Sequence, residues 1–149
     1  MILAGDTMPN CRKLAAWATK SVVFGPDLPI LIVLGNHEFY GGQIEVRRRE
    51  LQDAAGAFAN VRVLDPGEAL LEGGRVRVLG CTLWTDFELP IQTIAGPVSD
   101  RARSLKKAGE CMNDYGRIKV GEPGPERQRS GNRLLKPDDE PVRNFVCEA

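Results

Sequence analysis

Histidine is almost missing from this chain: His37 is the single imidazole in 149 residues, so any imidazole chemistry must pass through one ring. Net charge is missing too. Twenty basic and twenty acidic residues cancel, which removes any argument from bulk charge for a nucleic-acid or anionic-membrane partner. The four cysteines, Cys11, Cys81, Cys111 and Cys147, lie far apart without a Cys-x-x-Cys pair, so neither a zinc ribbon nor a thioredoxin-like motif is indicated. Reduced thiols are expected. No apolar run approaches the length of a membrane span, and the start lacks a charged leader with a cleavage site, so a cytoplasmic location is expected. Length and composition suit one globular domain with a real core.

What is present centres on Val33-Leu34-Gly35-Asn36-His37-Glu38-Phe39-Tyr40. The run from Pro29 to Leu34 is short, β-branched and bounded by Pro29 and Gly35, as expected of a strand covered on both faces. Gly35 is read as freeing the backbone to turn. In parallel α/β sheets ligands bind at such strand ends, which is where Asn36, His37 and Glu38 fall. A second strand end, Ile2-Leu3-Ala4 into Gly5-Asp6-Thr7, leaves a carboxylate at the equivalent edge. A carboxylate can bridge two divalent cations, an amide oxygen can ligate one, and an imidazole can protonate a leaving oxygen. The combination suggests metal-assisted hydrolysis.

Each residue also has a plainer reading. Asp6 suits a capping carboxylate ahead of a helix starting near Pro9 and Asn10, and Asn36 suits an Asx turn. His37 alone suits a hydrogen-bonded structural histidine. The ordered set makes ligation the favoured reading.

That set resembles the calcineurin-like metallophosphoesterases, whose signature holds a Gly-Asp strand end followed by Gly-Asn-His-Asp/Glu. The matches are Gly5-Asp6 and Gly35-Asn36-His37-Glu38, and the stretches Gly80 to Phe87 and Met112-Asn113-Asp114-Tyr115 are similar to one bacterial branch. The resemblance spans residues 1–140. It implies an α/β fold, a four-layer α/β/β/α sandwich with mixed sheets, and a phosphoesterase acting through two divalent metal ions, manganese, iron or zinc. It further implies that Asp6 bridges the metals, Asn36 ligates one, and His37 assists the leaving group. Gly5, Gly35 and Glu38 would stand behind them, orienting these groups without touching metal. Trp84 and Asp86 would lie near the rim, although an aromatic there suits core packing and Asp86 suits a cap.

The family's Asp-x-His, its lone downstream histidine and its Gly-His-x-His have no counterpart in this sequence. A single domain over 1–149, incomplete at both ends, is therefore expected, impaired by itself and binding metal weakly. The substrate is a phosphomonoester, a phosphodiester or a nucleotide. The alternative is a noncatalytic binding or regulatory remnant of the fold, and a third reading is a fragment unable to fold.

Along the chain, helices are expected over Cys11–Phe24, Gln43–Ala59 and Ser99–Glu110, with Leu14, Trp17, Ala18, Ser21 and Val22 on the buried face of the first. The second carries Ile44, Leu51, Ala55 and Phe58 inward, with Arg47-Arg48-Arg49 on a solvated face. A third strand over Val61–Leu64 precedes a hairpin, Glu68–Glu72 and Arg75–Cys81, turned at Gly73-Gly74. Asn113-Asp114 reads as a turn and residues 121–132 as a mobile loop. Asp138 or Asp139 would cap a last helix burying Val142, Phe145 and Val146.

Overall fold

A computed structural model of the chain describes residues 1–20, 27–121 and 133–139. Strands β1 (Ile2–Ala4), β2 (Ile30–Val33) and β3 (Val61–Val63) form a parallel sheet in that order, with Ile2 beside Leu31 and Ile30 beside Val61. Helices α1 (Cys11–Thr19) and α2 (Ile44–Ala55) make the two crossovers and pack on each other. The fold is α/β.

The central strand shows why the sheet needs cover on both sides. Ile30 and Ile32 point to one face and pack with Cys11, Leu14, Ala15 and Ala18 of α1 and with Ile44, Leu51 and Ala55 of α2. Leu31 and Val33 point to the other, where Leu64, Ala69, Leu71 and Val78 meet them. The second cover is an antiparallel hairpin, β4 (Gly67–Leu71) and β5 (Val76–Gly80), joined through a short 3₁₀ turn, Glu72–Gly74, in which Gly73 and Gly74 have positive φ. A Cβ on Gly80 would stand 2.6 Å from Leu64 Cβ and 2.8 Å from Val33 Cγ2, so glycine lets the hairpin seat on the sheet. Helix pair, parallel sheet and hairpin thus stack as successive layers.

The remaining elements are a small hairpin, β6 (Ile91–Thr93) with β7 (Gly96–Val98), helix α3 (Arg101–Cys111), the one-turn helix α4 (Asp114–Arg117), and the pair β8 (Lys119–Val120) with β9 (Arg133–Leu134). Asn10 and Asp100 cap α1 and α3, accepting from Lys13 N at 3.2 Å and Arg103 N at 3.0 Å. Of the described cysteines, Cys11 is buried, Cys81 half-buried and Cys111 exposed. No helix among the described residues is long and apolar enough to cross a membrane.

Several expectations are corrected. Trp17 is 48 % exposed, because the buried stripe of α1 runs through Cys11, Leu14, Ala15 and Ala18 and leaves position 17 to one side. Phe58 lies beyond the end of α2, which stops at Ala55. Arg48 is not on a solvated face: its Nε donates to the buried Asp65 carboxylate at 3.0 Å, while Arg47 pairs with Glu50 at 2.9 Å. Asn113-Asp114 opens a helical turn. Asp139 receives Arg133 and the Lys136 N–H. The helix expected after it, the α1 extension through Ser21, Val22 and Phe24, and the expected loop beyond Gly121 lie outside the described residues.

Candidate functional site

Two parallel neighbours, β1 and β2, end at the same edge of the sheet, and their glycines let the loops touch. Gly5 has φ +89°, and a Cβ on it would come within 2.9 Å of Gly35 Cα. At Gly35 the requirement differs from the one read in the sequence. Its φ is not positive; a Cβ would strike the Asp6 side chain and stand 2.6 Å from Asp6 N, so glycine provides room for the carboxylate rather than freedom to turn.

The Asp6 carboxylate lies against the next loop, with Oδ1 accepting the His37 N–H at 3.1 Å. Asp6 itself has φ +51°, a strained conformation for a residue with a side chain. What holds it there is Glu38. This carboxylate is completely buried; Oε2 accepts from Asp6 N at 2.9 Å and Gly35 N at 2.8 Å, and Oε1 accepts from Met8 N at 2.9 Å. One side chain thus clamps the backbones of both strand-end loops.

Asn36, His37 and Glu38 begin a 3₁₀ turn, His37–Phe39, that sends Glu38 and Phe39 inward and leaves His37 exposed. The His37 ring lies 4.6 Å, centroid to centroid, from the Tyr40 ring and is tilted to it by 36°, and the Arg117 guanidinium sits 5.5 Å from the same Tyr40 ring. Asp6 and His37 face solvent and Asn36 is half-buried, so the edge is open.

Behind Asn36 stands Asp114, only 2 % exposed. Its Oδ1 accepts from Asn36 Nδ2 at 2.8 Å and from the Tyr40 hydroxyl at 2.7 Å, and its Oδ2 accepts from Trp84 Nε1 at 2.8 Å. Burial, and then the bond to Asp114, push the Tyr40 phenol up to about 12. Sequence reasoning placed Asp114 in a turn and gave it no part in the site. The stretch Met112 to Tyr115 held the signal, as an acidic residue beside aromatics, but nothing local reveals a partner 78 residues away.

The structure therefore brings Gly5, Asp6, Gly35, Asn36, His37 and Glu38 together, and Trp84 joins them through Asp114 while stacking 6.0 Å from Phe39. Asp86 is not drawn in. It is exposed, its Oδ1 accepts from Glu88 N at 3.0 Å, and its carbonyl accepts from Arg101 Nε at 3.1 Å, which makes it a turn-forming residue.

For a metal, the edge offers the Asp6 carboxylate and the Asn36 carbonyl oxygen. Both are hard oxygen donors of the kind that take a divalent cation whose remaining positions water fills. They do not fit two. No group of three or more His, Cys, Asp or Glu residues able to hold a metal exists among the described residues, and the sequence holds no second imidazole. Compared with protein-family models, with curated proteins and with solved structures, the chain matches none.

Proposed function

We propose that the paired ends of β1 and β2 are the oxygen-ligand and proton-donor part of a metal-dependent phosphoesterase centre, on a sandwich of the calcineurin-like kind. The observation that carries this reading is the meeting of the two motifs. Asp6 and His37, 31 residues apart, are in hydrogen-bond contact at one strand edge, and Glu38 braces both loops from beneath. Neither a cap nor an Asx turn needs that meeting.

In this reading Asp6 and Asn36 hold a cation. Bound divalent cations would neutralise phosphoryl oxygens and lower the pKa of a water. The chain's own residues do the rest. His37, which is exposed, donates a proton to the leaving oxygen, and Tyr40 lies tilted against the imidazole and limits its rotation. Glu38 keeps the Asp6 carboxylate turned to the opening by fixing its backbone. Because two cations need more donors than Asp6 and Asn36, the chain as it stands should hold metal weakly and turn over little.

The test is calorimetric titration with Mn²⁺ beside assays on a chromogenic phosphomonoester and phosphodiester, for the unmodified chain, Asp6→Ala and His37→Ala. Weak uptake that disappears in Asp6→Ala and persists in His37→Ala is the expected result. Loss of metal in His37→Ala would make His37 a ligand and overturn its assignment. Tight uptake of two ions with turnover abolished by Asp6→Ala would overturn the claim that the chain alone is short of donors. No uptake at all would leave a noncatalytic binding module.

A further inference from the structure

We infer that Asp114 is a positioning residue, fixing the Asn36 side chain so that its carbonyl oxygen, and not its amino group, faces the Asp6 opening. This rests on the reading of Asn36 as a metal ligand given above. An asparagine amide has two ends of almost identical shape and opposite chemistry, one donating and one accepting. At a half-buried strand end nothing in the side chain's volume selects between them. The neighbours must select.

Asp114 Oδ1 is the acceptor in its 2.8 Å contact with Asn36, so the end of Asn36 that faces it is Nδ2. The Tyr40 oxygen, 3.4 Å from the same Nδ2, agrees: its hydrogen is committed to Asp114 at 2.7 Å, which leaves its lone pairs for Asn36. Trp84 fixes the far side. An indole N–H can only donate, and at 2.8 Å it occupies Asp114 Oδ2. Asp114 is thus held as an acceptor on both oxygens, at 2 % exposure where water offers little competition. With Nδ2 held inward, the Asn36 carbonyl oxygen points away from Asp114, and it accepts no hydrogen bond among the described residues. That is the end a cation takes.

Asp114→Asn tests this at constant volume. Its amide cannot accept on both sides, so with Trp84 still donating to the oxygen end, the amino end takes the place of Oδ1, facing Asn36 and the Tyr40 hydroxyl, and releases or reverses Asn36. Two readouts are followed, the side-chain amide resonances of Asn36 in the metal-free protein and the Mn²⁺ affinity by calorimetry. In Asp114→Asn the Asn36 amide pair should move or average, and Mn²⁺ affinity should fall about 10- to 100-fold, as for other groups that orient ligands. Tyr40→Phe should leave both nearly as in the unmodified chain, because the carboxylate alone suffices. This second variant carries the test if Asp114→Asn does not fold, since loss of the Asn36 signals in Tyr40→Phe would transfer the role to the phenol and overturn the inference. Unchanged Asn36 resonances in Asp114→Asn would overturn it as well, and so would altered resonances with unaltered Mn²⁺ affinity. If the resonances respond as expected while the unmodified chain takes up no Mn²⁺, the positioning stands and the phosphoesterase reading falls.

Discussion

The Glu38 carboxyl group lies at zero exposure, which a protein tolerates only with hydrogen bonding to the oxygens that face inward. Here three backbone N–H groups supply it, from Gly35, Asp6 and Met8. Glu38→Gln turns an amino group toward at least one of those donors and leaves a buried N–H without an acceptor, a loss of about 1–3 kcal/mol. Urea unfolding should show that drop in midpoint with an unchanged slope; an unaltered midpoint would remove Glu38 from its bracing role. The tyrosines give a second prediction. Burial raises both Tyr40 and Tyr115 to about 12, against about 10 in the unfolded chain. The folded state therefore holds protons that the unfolded state releases between about pH 10 and 12. Stability from this source is complete below pH 10 and is lost as the pH rises toward 12. Since the chain has only these two tyrosines, ultraviolet titration should show no phenol step near pH 10 until the protein unfolds. A native step at 10 would refute it.

At the scale of elements, what could be read in advance follows from period and punctuation. β1, β2 and β3 stand close to their expected ranges because runs such as Ile30 to Val33 have one structural use, and the hairpin turn at Gly73-Gly74 needs the positive φ that glycine accepts. α1 was legible at Asn10 but not on its inner face: Trp17, the largest apolar residue there, sits beside the stripe and stays half out. The strand-end pair Asp6 and Asn36 was legible because motif and strand tip coincide. Arg48 and Asp114 were not, for one shared reason. Each is an ionisable side chain taken inward by partners distant in sequence, Asp65 for the one and Asn36, Tyr40 and Trp84 for the other, and a local pattern assigns such side chains to water by default. The hairpin β6–β7 escaped for the opposite reason, since Ile91, Ile94 and Val98 are 69 %, 110 % and 50 % exposed and bury no face that a period would betray.

At the scale of the whole molecule, the described residues are covered unevenly. The outward face of β4–β5 leaves Leu70 and Leu79 at 58 % and 55 % exposure, Ile2 on the edge strand is at 54 %, and the β6–β7 arm adds Leu89 at 84 %. Apolar side chains displayed in such groups favour association. Sedimentation at rising protein concentration should show self-association, reduced in an Ile91→Ser, Ile94→Ser variant; a chain that stays monomeric through the tens of micromolar would contradict it. One further consequence belongs to time. The contact between Asp6 and His37 closes within the first crossover, over 31 residues, whereas Asn36 meets Asp114 only across 78. On a ribosome adding about 5–20 residues per second, the newborn sheet waits roughly 4–16 s after Asn36 is made before Asp114 exists. During that interval both partners of the Asp6–His37 contact exist and the side chain that orients Asn36 does not.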